Sequence, residues 1–277
     1  MKRNSAWCYR FMRWLLFLYL IFGASLISRA QGGSPEILHL PKGPLNQLSG
    51  QAFLSPSLKA MQGDASTNPI SLWLEQARTL WHGAAGQPSC AQCHGDIETM
   101  KSVATQFPKW SDKQQKLINM EDQILTCSQR TLRPLKSLEN TELLSLSALL
   151  HSSSAGLPFQ ILPNQDSQQR WQVELNAGAK IFTTRIGRMN LACTHCHDLN
   201  IGKTLRADVI SPGHPTGFPI FKLSWQSMGS IDRRLRACYS GVQAEVPAPG
   251  SPELRQLELF LKSRAQGMPI EGPSLRR

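Results

Sequence analysis

Two pentapeptides, Cys90-Ala-Gln-Cys93-His94 and Cys193-Thr-His-Cys196-His197, have the pattern that covalent attachment of a c-type haem requires. Two thiols one helical turn apart can each form a thioether to a vinyl group of the porphyrin. The histidine beside the second thiol then faces the iron. One such pentapeptide also fits half of a zinc site. Two of them, each behind an amphipathic segment, point to a dihaem cytochrome c. Its two covalently bound haem c groups would sit on Cys90 and Cys93 and on Cys193 and Cys196, with His94 and His197 toward the irons.

The rest of the composition agrees with an exported cytochrome. Lys2, Arg3, Arg10 and Arg13 precede the apolar run Trp14 to Leu26, and Ser28 and Ala30 suit cleavage before Gln31. Residues 1–30 therefore read as a signal peptide cleaved near Ala30, and the mature chain as periplasmic. The apolar run is short for a spanning helix, and nothing after it is apolar enough to cross a bilayer. Residues 1–30 carry five Lys/Arg and no acid, so cleavage lowers the formal charge from +11 to +6. A mild basic excess suits an anionic substrate or an acidic protein partner. There is no basic stripe interleaved with aromatics, which argues against nucleic acid.

Of the seven cysteines, Cys8 leaves with the signal and four belong to the haem motifs, so Cys127 and Cys238 remain. In an oxidising compartment a disulfide between them is the plain reading. An internal repeat weighs against it. The stretch from Leu143 to Pro158 lies alongside the stretch from Leu254 to Pro269, and each spare cysteine stands 29 positions before its glycine, Gly156 or Gly267. Each cysteine thus falls after the haem wrap and before the terminal helix, where the sixth iron ligand is expected. A thiolate there would push electron density onto the metal and lower its potential. Met100, Met120, Met189 and Met228 are the rival ligands, although methionine more often fills core. Arg233, Arg234 and Arg236 crowd Cys238, with Arg234 one turn before it on the same helical face. Positive charge there would lower a thiol pKa and gather anions. The alternative is a solvated basic face. Cys127 has a single nearby base, Arg130.

These parts need a mostly α scaffold: two tandem class I-like cytochrome c domains related by internal duplication. The expected boundaries are an N-terminal extension over 31–63, a first domain over 64–165 and a second over 166–277, joined through Leu162–Gln169. Each half reads as helix, haem motif, irregular wrap, cysteine and terminal helix. Ile70, Trp73, Leu74, Ala77, Leu80 and Trp81 recur at helical spacing before Cys90, as do Trp171, Leu175, Gly178 and Phe182 before Cys193. Ser251 is the expected cap of the last helix, Pro252 its first residue and Gly267 its stop. Strand signals are weak, and Ser211–Pro219 reads as loop. His195 is expected to face solvent, and His82, His151 and His214 to be ordinary surface or loop residues.

The segment Lys222-Leu-Ser-Trp225 through Arg233-Arg234-Leu-Arg236-Ala-Cys238-Tyr-Ser-Gly241-Val-Gln-Ala-Glu245, with Gly250 to Leu254 and Arg264 to Met268-Pro269, resembles the SoxA family. These are dihaem subunits of the L-cysteine S-thiosulfotransferase of periplasmic sulfur oxidation. The resemblance covers residue 70 to the C-terminus and retains both haem motifs. It implies His94 and Cys127 as the axial ligands of haem 1, and His197 and Cys238 as those of haem 2. Cys238 would be the active cysteine, found persulfide-modified in the family, and Arg234 the substrate-binding residue. It further implies that thiosulfate is coupled oxidatively to a cysteine of a sulfur-carrier protein. Electrons would pass to a monohaem cytochrome subunit and on to a soluble cytochrome c. Gln243 departs from the family pattern, where arginine is expected, and removes one positive charge near the site. A thiosulfate dehydrogenase forming tetrathionate and a plain dihaem electron carrier are the competing readings.

Overall fold

Four polar residues, Asn119, Asn140, Ser230 and Ser251, turn extended backbone into helix at the places that matter most. Each accepts a hydrogen bond from an otherwise unpaired backbone N–H of the first helical turn: Asn119 from Asp122 at 2.9 Å, Asn140 from Leu143 at 3.1 Å, Ser230 from Arg233 at 3.2 Å and Ser251 from Leu254 at 3.5 Å. Such a cap is worth about 1 kcal/mol. The computed structural model describes residues 44–83, 88–130, 134–163 and 165–277. The expected signal peptide and the first part of the N-terminal extension lie outside the described residues.

In chain order the helices are α1 (Pro56–Gly63), α2 (Ile70–His82), α3 (Cys90–His94), α4 (Met120–Ser128), α5 (Thr141–Ser153), α6 (Gln168–Thr183), α7 (Cys193–His197), α8 (Ile231–Gly241) and α9 (Pro252–Arg264). Short strands fill the wraps: β1 (Lys109–Ser111), β2 (Lys116–Ile118), β3 (Thr204–Leu205), β4 (Asp208–Val209), β5 (Ile220–Lys222), β6 (Ser227–Gly229) and β7 (Ser274–Arg276). β1 pairs antiparallel with β2, and β3 with β4. β5 is the centre of a three-stranded sheet, antiparallel to β6 and parallel to β7. About half of the described residues are helical, and Ser211–Pro219 is loop as expected. No helix among the described residues is long and apolar enough to cross a membrane.

From β1 onward several elements recur 111 positions later. β1 and β2 recur as β5 and β6 in the same register, Lys109↔Ile118 answering to Ile220↔Gly229. α4 starts at Met120 and α8 at Ile231; α5 runs Thr141–Ser153 and α9 Pro252–Arg264. Within each half the helix before the haem motif packs on the terminal helix, α2 on α5 and α6 on α9. The contact position is small for a steric reason. Ala77 is fully buried in the first pair, whereas a side chain on Gly178 would overlap the backbone oxygen of Gln256 on α9.

The core runs through both halves. Trp81, Phe107, Ile118 and Leu149 share one apolar cluster with Leu259, Ala265 and Ile270. The chain after α5 pairs with its own counterpart after α9: Phe159 N–H donates to Met268 O at 2.9 Å, and Ile270 N–H to Leu157 O at 2.9 Å. Residues 44–63 pack on the C-terminal strand, with Ser49 donating to Glu271 at 2.6 Å and Leu275 N–H donating to Gln62 at 2.9 Å.

A buried ionic chain lies where equivalent helices meet. Arg255 on α9, 2% exposed, forks onto Asp122 of α4 at 2.5 and 2.9 Å and reaches Asp232 of α8 at 2.6 Å. It therefore ties together the two helices that carry Cys127 and Cys238. One turn along α9, Glu258 takes a hydrogen bond from Asn119 at 3.0 Å and pairs with Lys262 at 3.0 Å. Glu121, also buried, accepts from Ser147 Oγ at 2.7 Å.

Candidate functional site

The haem motifs form the short helices α3 and α7, which put their two cysteines on one face a turn apart. Ser89 and Gln92 cap α3 reciprocally. In α7 the same place is filled by His195, whose Nδ1 accepts from the Ala192 N–H at 3.0 Å. His195 was expected to face solvent; it is half-buried and works as a helix cap.

His197 is fixed in a form suited to binding iron. Its Nδ1 lies 2.7 Å from the Ser211 carbonyl oxygen, which can only accept. The proton is therefore on Nδ1 and the Nε2 lone pair is free. The loop passes close behind the ring because Gly213 has φ +79° and an added Cβ would sit 3.1 Å from His197 Nδ1. Burial lowers the His197 pKa, and the Arg234 and Arg264 charges add to that, which keeps the ring neutral. Arg264 pairs with Asp198 at 2.8 Å and lies over the Phe182 ring at 4.4 Å. In the first half, Trp81 Nε1 donates to Gly95 O at 2.9 Å, and its ring is 6.0 Å from that of His94.

Each spare cysteine lies beside its own haem motif. Burial and then the Cys127 charge raise the Cys90 pKa, while burial and then Cys238 push Cys193 up to about 12. None of the six cysteines from Cys90 onward is disulfide-bonded, so the disulfide between Cys127 and Cys238 is not formed. Of the rival methionines, Met120 and Met228 are core residues, each 1% exposed, Met100 packs against the first cluster as Cys90 does, and Met189 is exposed. The two histidine nitrogens, the two spare cysteine sulfurs and the two pairs of attachment cysteines are a donor set that would fit c-type haem.

Cys238 is exposed on α8, and its three arginines are not equivalent. Arg233 is held over the Trp225 ring at 4.2 Å and donates to Ser227 at 2.9 Å. Arg236 donates to the Pro247 carbonyl at 3.0 Å. The Arg234 guanidinium forms no hydrogen bond or ion pair among the described residues, yet its charge lowers the pKa of His197, Lys222 and Arg276 around it. Sequence spacing found all three arginines but could not tell which of them was uncommitted.

The expectation of a surface position is corrected for His151 and, within its expected loop, for His214. His151 is 3% exposed and donates from Nδ1 to Ser147 O at 2.8 Å; burial lowers its pKa to about 3. His214 is 6% exposed and its Nε2 meets Asn46 O at 2.8 Å. Both are buried structural residues, whereas His82 is exposed as expected.

Comparison with known proteins places this geometry. Residues 76–159 match the family model for the SoxA/TsdA cytochrome c domain, and the chain carries covalently bound haem c. The L-cysteine S-thiosulfotransferase subunit SoxA of Pseudaminobacter salicylatoxidans is 33% identical over 83% of this chain and 81% of its own length. That of Rhodovulum sulfidophilum is 30% identical over 82% and 79%. The crystal structure of SoxXA from P. pantotrophus superposes with a TM-score of 0.75 at 27% identity, covering 83% of this chain and 86% of that one. On this evidence the chain belongs to the SoxA family of L-cysteine S-thiosulfotransferase subunits.

Proposed function

We propose that this protein is the periplasmic subunit that couples thiosulfate to a cysteine of a sulfur-carrier protein, with Cys238 as the reacting residue and Arg234 as the anion anchor. The observation that carries it is the exposed Cys238 thiol beside the second haem motif, one turn after an arginine without a hydrogen-bond or ion-pair partner among the described residues. In this reading the chain is a duplicated cytochrome c domain, divided near residue 165 and exported by cleavage near Ala30. Cys90, Cys93, His94 and Cys127 hold haem 1; Cys193, Cys196, His197 and Cys238 hold haem 2. A bound c-type haem supplies a one-electron acceptor next to the sulfur.

Arg234 draws in the thiosulfate dianion and turns its outer sulfur toward Cys238. An S–S bond forms between that sulfur and the Cys238 thiolate as two electrons leave. Because one haem takes one electron, a second acceptor is required, and a monohaem cytochrome subunit fills that place before a soluble cytochrome c. The carrier's thiolate then attacks the outer sulfur, takes the thiosulfonate group and releases the Cys238 thiolate, so the exchange itself needs no further oxidant.

The test is product analysis with an oxidised cytochrome, with and without a carrier protein bearing a free cysteine. The expected product is a thiosulfonate on the carrier cysteine. Tetrathionate as the sole product in both cases would make the protein a thiosulfate dehydrogenase. A Cys238→Ser protein that still shuttles electrons, in a system where thiosulfate never alters the haem spectrum, would make it a plain carrier.

A further inference from the structure

The repeat places Gln123 where the second half has Arg234: each is the fourth residue of its helix and stands one turn before the spare cysteine. The two side chains share a position and differ in chemistry. Gln123 Nε2 lies 3.2 Å from Cys127 Sγ. A thiolate can only accept, so the amide must present N–H to it, and this sets the orientation of the Gln123 side chain. Hydrogen bonds to a metal-bound sulfur withdraw electron density from it and raise the potential of the metal. A neutral amide also brings no charge to attract a dianion, and while bonded to the sulfur it covers one approach to it.

We propose that Gln123 is a positioning residue that holds Cys127 as a fixed, anion-blind ligand and so makes the first haem site non-catalytic. The two sites would then share one scaffold, with the residue one turn before the cysteine deciding which sulfur reacts. The inference rests on Cys127 being an iron ligand, the reading given above. It accounts for two matching cysteine positions of which the second, Cys238, is exposed and follows a cation without a hydrogen-bond or ion-pair partner among the described residues.

The experiment uses the holoprotein with both haems and reads low-temperature EPR and redox titration rather than turnover. In Gln123→Leu the donor is lost and the shape is nearly kept. The haem 1 midpoint potential should fall and its low-spin signal shift, with the haem 2 signal unchanged. In Gln123→Arg the first site gains the charge of the second, and added thiosulfate should perturb the haem 1 spectrum, whereas in the unaltered protein it should not. Haem 1 signals and potential that stay at their original values in Gln123→Leu would overturn the proposal. Cys127→Ser provides the separate check on the underlying reading: a haem 1 spectrum indifferent to that change means Cys127 is not the ligand, and both readings then fall.

Discussion

Replacing Glu121 by glutamine should make the protein more stable at neutral and alkaline pH, although it removes a charged member of a buried network. Glu121 faces Glu258 and Lys262 from α9 and Ser147 from α5. Burial, and then the Glu258 carboxylate, raise its pKa from the usual 4.5 to about 7, against a smaller opposing pull from Ser147 and Lys262. At about 1.4 kcal/mol per pH unit between the two values, ionising this carboxyl in the fold costs about 3 kcal/mol. The sign follows from where the protons are bound. Below the unfolded pKa the carboxyl is protonated in both states and pH has no effect through it. Between that pKa and about 7 the unfolded chain releases its proton while the fold retains it, so stability falls as pH rises. Glutamine keeps the acceptor that Ser147 Oγ uses at 2.7 Å and never ionises. Denaturation of the holoprotein, followed by circular dichroism across this range, should show a Glu121→Gln advantage growing from near zero in acid to about 3 kcal/mol at about pH 8. His151, held neutral with a pKa near 3, destabilises the fold as pH drops below 6.5, but that loss is common to both proteins and cancels in the difference. A difference curve that is flat with pH would refute the reasoning.

Three further outcomes follow from named contacts. Arg234→Gln should lower kcat/KM for thiosulfate by roughly 10–100-fold, the loss of a charge-assisted contact, while Arg236→Gln, whose partner is the Pro247 carbonyl, has a much smaller effect; equal losses in steady-state kinetics would mean a diffuse basic face instead of an anchor. Arg255→Met should cost about 3–5 kcal/mol in chemical denaturation because it leaves Asp122 and Asp232 buried without their cation, and a loss below 1 kcal/mol would show that the network relaxes easily. Gly178→Ala should destabilise by about 1–3 kcal/mol through the clash with Gln256, whereas Ala77→Gly, at the matching place in the first half, should cost only about 1 kcal/mol of helix propensity; the thermal midpoints should rank accordingly.

Local signals made the short helices of the haem motifs, the helices before them and the terminal-helix cap at Ser251 legible in the sequence. They depend on neighbours within a turn or on a fixed register. Long-range partners were not legible. Arg255, Glu258 and Lys262 recur along α9 as a solvated face would, yet they are buried because α4 and α8 bring Asp122 and Asp232 onto them. His151 and His214 looked like surface residues for the same reason, since their burial depends on segments far away in the chain. The three-stranded sheet was missed because β5, β6 and β7 have only three residues each, too few to establish an alternation, and β7 arrives from the far end of the chain. Within the site, the cation–π contact and Ser227 bond of Arg233 and the carbonyl bond of Arg236 single out Arg234.

The most direct test of the central claim is to supply thiosulfate with an isotopically labelled outer sulfur to the holoprotein and an oxidised cytochrome, without carrier, and to map the label by peptide mass spectrometry. The account predicts label on the peptide containing Cys238, absent from the one containing Cys127, and lost when a carrier thiol is added. Label on Cys127, or turnover that leaves no label on either cysteine, contradicts it.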